Sequence, residues 1–472
     1  MGNLSKEFRL LINGTLTPGA STMEVINPAT GKAFTVSPRA SIAQAEEAIA
    51  AAKGAFPAWS ALSYAERKVY LDKFADKIES MRDEFVRTLT LEQGKPLEES
   101  RTEIDGSIAT LRYGAAQELG TEMIRENDHE RIEKQFYAQG VVAAITPWNF
   151  PVILLMFKLA PALVTGNTVI AKPAPTTPLT TLLLGEAAEG ILPDGVFQTL
   201  VDQNDIGPLL TSHPDIAHVS FTGSTPTGKK VLHSTVDTFK RFTLELGGND
   251  AGIILDDADI DLLGPKIFWS AFYNAAQICF ATKRLYVPTR LMDKVCAMLV
   301  RMCDSQKLGD GMIEGTTMGP IQNKTQYDKV IGYLEDAKAN GRILCGGYAL
   351  PGDGYFIAPT IVRDIPDSAR VVREEQFGPV LPVLAYDDLE DVIARANDSE
   401  FGLGASVWTS DPKRGIEVSS RLQTGTCWVN QHLVFPSDVS FGGAKQSGLG
   451  RQNGRAGMED FSQIRIVNAS LL

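Results

Sequence analysis

Cysteine is well suited to attack a carbonyl near neutral pH, because even a free thiol with a pKa of about 8.5 is partly ionised there. Cys279 stands at the end of Phe272-Tyr273-Asn274-Ala275-Ala276-Gln277-Ile278 and is followed by Phe280-Ala281-Thr282-Lys283-Arg284. The apolar run before it reads as a helix ending at the thiol, and the two cations after it favour partial thiolate character. Cys296, Cys303, Cys345 and Cys427 have no such setting and read as small buried hydrophobes. A thiol nucleophile needs a base. Glu245 lies in Leu244-Glu245-Leu246-Gly247-Gly248. At a strand end between two leucines its carboxylate is either solvated or turned into a cleft, and the glycines let another group approach the backbone closely. The adduct also needs a donor for its oxygen. Asn149 sits in Thr146-Pro147-Trp148-Asn149-Phe150-Pro151, with a proline on either side. That segment is either a tight turn packed by Trp148 or a rigid mount for an oxyanion donor, a group worth about 10²–10³ in rate.

A fourth segment, Phe221-Thr222-Gly223-Ser224-Thr225-Pro226-Thr227-Gly228-Lys229, follows a strand-like run and opens a helix. Its backbone N–H groups suit a phosphate. It nearly matches a phosphate-binding Gly-x4-Gly-Lys-[Ser/Thr] loop, but Lys230 stands where a magnesium-binding hydroxyl belongs. A P-loop ATPase is thus a remote alternative, which Mg²⁺-dependent ATP hydrolysis would reveal.

These residues need a scaffold. Short apolar runs at Val141–Thr146, Thr168–Ala171, Phe197–Val201, Ala217–Thr222 and Phe242–Leu246 read as strands, with helices at Thr177–Ile191 and after Thr222. Alternation of this kind implies parallel βαβ units. A second alternating series runs from about Gly252 to Val429. Upstream, the first 40 residues read as extended, with a turn at Asn27-Pro28-Ala29-Thr30-Gly31. Ser41 with Gln44 and Ser63 with Glu66 have capping-box spacing, and the second helix is expected to end before Gly94 and Pro96. The fold class is α/β, as two interleaved α/β domains.

The 472 residues suffice for two or three structural units with a sizeable core. Hydrophobic residues at 44% and charged residues at 22% fit a folded soluble chain. A formal net charge of −12 repels polyanions, so neither nucleic acid nor an anionic membrane is an expected partner. Five scattered cysteines make no disulfide framework and no metal-ligand spacing, so no metal is expected and the thiols suit the reducing cytoplasm. The N-terminus has no apolar signal segment, and Lys6 stands where myristoylation after Gly2 would want a hydroxyl. No apolar run is long enough to span a bilayer.

Taken together, Pro147-Trp148-Asn149-Phe150-Pro151, the Gly223-Ser224-Thr225 turn, Glu245-Leu246-Gly247-Gly248, and Gln277 before Cys279 resemble the aldehyde dehydrogenase superfamily. So do Glu375-Gln376-Phe377-Gly378-Pro379 and Phe441-Gly442-Gly443-x-Lys445-x-Ser447-Gly448-x-Gly450-Arg451. The segments follow the family's order over nearly the whole chain. The resemblance implies oxidation of an aldehyde to its acid with NAD⁺, NADP⁺ being tolerated. It makes Cys279 the nucleophile, Asn149 with the Cys279 N–H the oxyanion donors, and Glu245 the base that activates water. It sets Ser224 at the cofactor pyrophosphate, Lys172 and Glu375 at the two riboses, and Trp148 and Phe377 beside the cofactor, with Ile145, Thr146 and Leu246 completing that site. By position, Phe150, Ile153, Leu154, Phe157, Ile278, Phe280, Phe435 and Phe441 line a substrate tunnel suited to an apolar aldehyde, aromatic or medium-chain aliphatic. His432, in the same loop region, offers a donor to a substrate hydroxyl. The implied architecture is a Rossmann-like cofactor domain (1–118 and 139–246), a catalytic domain (247–445) and a small β oligomerisation arm (119–138 and 446–472) that makes a homodimer or homotetramer.

Three departures stand out. Pro175 replaces a glutamate that family members often use to discriminate against a 2′-phosphate. Gln452 replaces an acidic residue thought to pair with the position of Lys158 in a proton exit path. Ala276 replaces a glycine. Two rival activities remain within the superfamily. A CoA-acylating enzyme would not need Glu245, and a semialdehyde-specific one would place an arginine in the tunnel.

Overall fold

The computed structural model describes residues 6–471. Gly2, considered above for lipid attachment, lies outside the described residues. Two parallel sheets organise the chain. The first has six strands in the order Gly448–Leu449, Arg241–Glu245, Ile216–Thr222, Val141–Ile145, Thr168–Lys172 and Phe197–Thr199. All its pairings are parallel except that of Gly448–Leu449 with Arg241–Glu245. The second has seven strands in the order Arg342–Cys345, Thr360–Arg363, Val380–Tyr386, Thr282–Pro288, Asp250–Ile254, Gly404–Trp408 and Thr426–Val429. Only its first pair is antiparallel. Helices cover both faces of such sheets, so their strands bury every side chain instead of alternating. Val141–Ile145, Thr168–Lys172 and Thr282–Pro288 are buried throughout.

In the first sheet the chain builds outward in one direction from Val141–Ile145, then returns to build in the other from Ile216–Thr222. The loops leaving these neighbouring strands diverge and open a crevice, where open α/β sheets bind ligands. Both loops carry residues singled out above: Trp148 and Asn149 after one strand, Gly223 and Ser224 after the other.

Both predicted capping boxes form, at Ser41 with Gln44 and at Ser63 with Glu66. The helix expected from Ser63 to Gly94 is in fact two, Tyr64–Ser80 and Arg82–Gln93, separated at Met81. Two further helices had no counterpart in the sequence reading. Pro151–Val164 buries every residue but Ile153. Leu97–Ala115 turns Glu99 and Glu103 inward beside Ile104, Ile108 and Leu111. A third, antiparallel sheet stands apart, with Ser462–Ser470 paired to Glu130–Ala138 and the latter to Glu122–Glu126. Among the described residues no helix is long and apolar enough to cross a membrane.

Candidate active site

Cys279 lies in a loop, not at a helix end. The helix Ile260–Phe272 stops short of it, and the chain then passes through three left-handed residues, Asn274, Ala275 and Ala276, with φ of 52°, 51° and 62°. A left-handed residue with a Cβ costs roughly 1–2 kcal/mol, and asparagine bears it better than alanine. Ala276 therefore holds a conformation that a glycine would adopt freely. Side chains brace the turn. Asn274 Nδ2 donates to Asn149 O at 3.2 Å, Gln277 Nε2 donates to Asn274 O at 2.9 Å, and Gln277 Oε1 accepts from Gln322 N at 2.8 Å.

Asn149 is buried beside this loop. One N–H of its amide donates to Gln277 O at 2.8 Å, which leaves the second for a ligand. Its backbone is fixed from the helix Leu97–Ala115 and the turn before it. Lys95 Nζ donates to Asn149 O at 2.9 Å, pairs with Glu103 Oε2 at 2.6 Å and lies 3.6 Å from the Phe150 ring centroid. Glu103 Oε1 accepts from Val152 N and Ile153 N at the start of Pro151–Val164. Both charged side chains are fully buried. Removing one partner strands the other, so Lys95→Met is expected to cost about 3–5 kcal/mol of stability. Lys95→Met with Glu103→Gln, which removes the charge and keeps an acceptor for Val152 N and Ile153 N, is expected to recover part of that loss. Urea denaturation of the two variants measures both; a single variant within about 1 kcal/mol of wild type, the worth of an exposed pair, would contradict the expectation.

Glu245 ends its strand opposite Thr222 and is 4% exposed. It is neither solvated nor part of a cleft wall; its Oε1 lies against the backbone of Gly442. No protein group among the described residues hydrogen-bonds its carboxylate. Burial raises its pKa well above the ordinary carboxylate value, opposed by Lys158 and Arg451 and reinforced by Asp460. Lys158 is buried too, and burial pushes its pKa down to about 7 against the pull of Glu245. Its Nζ donates to Thr222 Oγ1 at 2.7 Å and Ser220 Oγ at 3.3 Å. Gln452 is buried, and its backbone pairs with that of Phe441.

The glycines after Glu245 admit two close neighbours. A Cβ on Gly247 would fall 2.5 Å from Glu375 Oε2, and one on Gly248 would fall 2.5 Å from Cys279 O. Gly248 N donates to Glu375 Oε1 at 3.0 Å. The pair thus seats the Glu375 carboxylate and the cysteine loop on the end of the first sheet.

Two clefts meet here. One, of about 630 Å³, is lined by Trp148, Thr222, Gly223, Ser224, Leu246, Gly247, Glu375 and Phe377 among others. The Trp148 and Phe377 rings meet edge-on at 5.3 Å. The other, of about 770 Å³, is lined by Phe150, Ile153, Leu154, Phe157, Ile278, Phe280 and Phe435, as the sequence led one to expect. Thr102, Glu103, Tyr273 and Leu433 join them. Phe441 does not; it packs behind, against Phe280 and Phe435. Asn149, Leu154 and Cys279 belong to both walls.

Other expectations need correction. Burial pushes the Cys279 thiol up to about 12; Lys283 pulls it down, while Glu375, Glu245 and Asp250 push it further up. Partial thiolate is therefore not its resting state. His432 Nε2 is engaged by Phe280 O at 2.6 Å, and the residue is not in the wall of the apolar cleft. Ile145, Thr146 and Lys172 sit at the carboxyl edge of the first sheet but outside the wall of the 630 Å³ cleft, and Lys172 pairs with buried Asp202 at 2.6 Å. Lys229 and Lys230 are exposed on the helix Thr225–Thr235.

The model of the aldehyde dehydrogenase family matches residues 16–467. The chain belongs to that family. It is 37% identical to a betaine aldehyde dehydrogenase of Rhizobium etli, over 95% of this chain and 93% of that one. Among solved structures it resembles the NAD⁺ complex of an aldehyde dehydrogenase from Bacillus cereus, with TM-score 0.96 and 35% identity over 100% and 98% of the two chains. It also resembles an NADP-dependent enzyme of E. coli, with TM-score 0.95 and 36% identity over 98% of each chain. Family membership removes the P-loop ATPase reading and makes the chain an aldehyde dehydrogenase.

Proposed function

We propose that this aldehyde dehydrogenase oxidises an apolar aldehyde, aromatic or medium-chain aliphatic, to its acid, with NAD⁺ as acceptor and NADP⁺ tolerated. The observation that carries the proposal is the pair of clefts meeting at Cys279 and Asn149. The cleft at the sheet's switch point fits a dinucleotide: it offers Ser224 at a helix start, a seated carboxylate at Glu375, and the rings of Trp148 and Phe377. Lys172, at the carboxyl end of its strand on the same sheet edge, is the cation we assign to the adenosine ribose. In the apolar cleft, Cys279 gives up its thiol proton to water as its Sγ bonds to the aldehyde carbon, and the carbonyl oxygen takes up the electron pair beside the free Asn149 N–H and the Cys279 N–H. A dinucleotide held by Ser224, Glu375, Trp148 and Phe377 would supply the acceptor for the hydride of this carbon, leaving a thioester on Cys279. Glu245 swings toward the thioester and takes a proton from water as its oxygen attacks; the acid departs and the sulfur is released.

The wall supports the substrate class. Phe150, Phe157, Tyr273, Phe280 and Phe435 supply apolar area, worth about 25 cal/mol per Å² buried. Among the described residues no arginine or lysine lines the cleft to grip a second carboxylate. A second reading, a quaternary-ammonium aldehyde held on ring faces, is favoured by the name of the Rhizobium relative. Against it, Glu103 is the cleft's carboxylate and Lys95 already neutralises it, while Lys95 also occupies a face of Phe150. Exposed Ile464, Ile466, Ile124 and Tyr137 on the antiparallel sheet support pairing with a second copy, as homodimer or homotetramer. The five free cysteines fit a cytoplasmic setting.

Absorbance at 340 nm with a panel of aldehydes tests this. Benzaldehyde or hexanal is expected to exceed betaine aldehyde and succinate semialdehyde in kcat/KM; the reverse order would reject the substrate class. Acyl-CoA formed on adding CoA would favour the acylating relative. With Pro175 offering no carboxylate, the two cofactors are expected to differ by less than about a thousandfold, some 4 kcal/mol.

A further inference from the structure

Lys283 is a buried ammonium that none of these steps uses. It lies on the fully buried strand Thr282–Pro288, just after the nucleophile, and only 4% of its side chain is exposed. Its Nζ donates to Ile278 O at 2.8 Å and to Cys279 O at 2.6 Å, and stands 3.7 Å from Glu375 Oε1. We propose that Lys283 is a positioning residue for the thiol step: its ammonium clamps the carbonyls on both sides of Cys279 and so aims that residue's sulfur and peptide N–H.

The neighbouring carbonyls are held as well. Gln277 O accepts from Asn149 and Phe280 O is bonded by His432. Four successive carbonyls, from 277 to 280, are thus tied to named side chains. In a planar trans peptide the carbonyl of one residue and the N–H of the next point in opposite directions. The hold on Ile278 O therefore turns the Cys279 N–H away from the ammonium. Lys283 also acts through charge. The groups acting on the thiol from the surrounding segments are Glu375, Glu245 and Asp250, all of which oppose its ionisation; Lys283 is the cation that favours it. The contact with Glu375 ties the cofactor cleft to the same ammonium. A structural lysine would give stability only; this one is expected to set how readily the sulfur ionises.

This inference rests on Cys279 being the nucleophile, and the experiment separates the two. Alkylation of Cys279 by iodoacetamide is followed against pH by peptide mass spectrometry, in the whole protein without cofactor, for wild type, Lys283→Met and Lys283→Arg. Melting curves accompany each variant. The Met variant is expected to alkylate at least about tenfold more slowly at pH 8, its acid limb displaced upward by about one pH unit or more. Its kcat is expected to fall more than its KM changes. The Arg variant, which keeps charge and donors, is expected to stay within about threefold of wild type. A folded Met variant with the wild-type alkylation profile overturns the proposal. If the Met variant does not fold, Lys283→Gln, which keeps a donor but loses the charge, decides: an upward displacement of about a unit or more supports the proposal, and a wild-type profile overturns it. Cys279→Ser serves as control. Turnover in that variant would defeat the nucleophile assignment itself; its inactivity beside an unchanged Met variant would defeat Lys283 alone.

Discussion

Replacing Cys279 with alanine is expected to lower aldehyde turnover by on the order of 10⁴-fold or more, the scale on which covalent enzymes lose rate without their nucleophile. The loss should lie in kcat and not in folding. The side chain is half-buried at the junction of two clefts, so an alanine removes one sulfur from a space that is already open. Melting should shift by no more than about 1 kcal/mol in unfolding free energy. Dinucleotide binding, followed by fluorescence of Trp148 at the cleft wall, should persist. A purified alanine variant that still forms NADH from aldehyde at more than a few per cent of the wild-type rate would end the thioester scheme. The raised thiol pKa sharpens the expectation. With the thiol pKa raised by its surroundings, the wild-type rate of sulfur attack should rise with pH above neutrality, and the alanine variant should show no such limb.

The parallel strands were legible because each is a short apolar run ended by turn residues, and Val141–Ile145 and Ile216–Thr222 lie within a residue or so of where the pattern put them. The residues of the two cleft walls were legible through motif register. What escaped was whatever depends on contacts between distant segments. The helix Leu97–Ala115 was missed because its buried face includes Glu99 and Glu103, which read as a solvated face; Ile104, Ile108 and Leu111 at helical spacing were the signal available. With it went Thr102 and Glu103 in the apolar cleft, and the Lys95 pair that fixes Asn149. The break before Cys279 was hidden for another reason. Nothing in Asn274-Ala275-Ala276 announces three left-handed residues, since alanine is the strongest helix former and favours continuing the helix. The amides of Asn274 and Gln277 tie the turn to Asn149 and Gln322, segments distant in sequence.

Glu245→Gln is expected to slow turnover by about 10²–10⁴-fold, the usual worth of a general base, while leaving formation of the covalent adduct nearly intact. The amide is isosteric, so the close approach to Gly442 survives. The consequence is a change in rate-limiting step: the first turnover should still release a stoichiometric burst of NADH, and the thioester on Cys279 should then accumulate to a level visible by intact-protein mass spectrometry. The pH dependence follows from the side chain's surroundings. Burial raises the Glu245 pKa well above the ordinary carboxylate range, so the basic form is scarce at low pH and grows as pH rises. The hydrolytic step should therefore climb with pH through a limb displaced to the alkaline side of an ordinary glutamate, and that limb should vanish in the glutamine variant. Lys158 shapes it. As a cation it lowers the Glu245 pKa, and burial brings its own down to about 7. Lys158→Met should then push the limb to still higher pH. Since Gln452 cannot exchange a proton, Lys158, which acts on Glu245 and donates to Thr222 and Ser220, is expected to be the group through which the proton passes. A glutamine variant with wild-type turnover, no burst and an unchanged pH profile would remove Glu245 from hydrolysis and leave the water to be activated by another group.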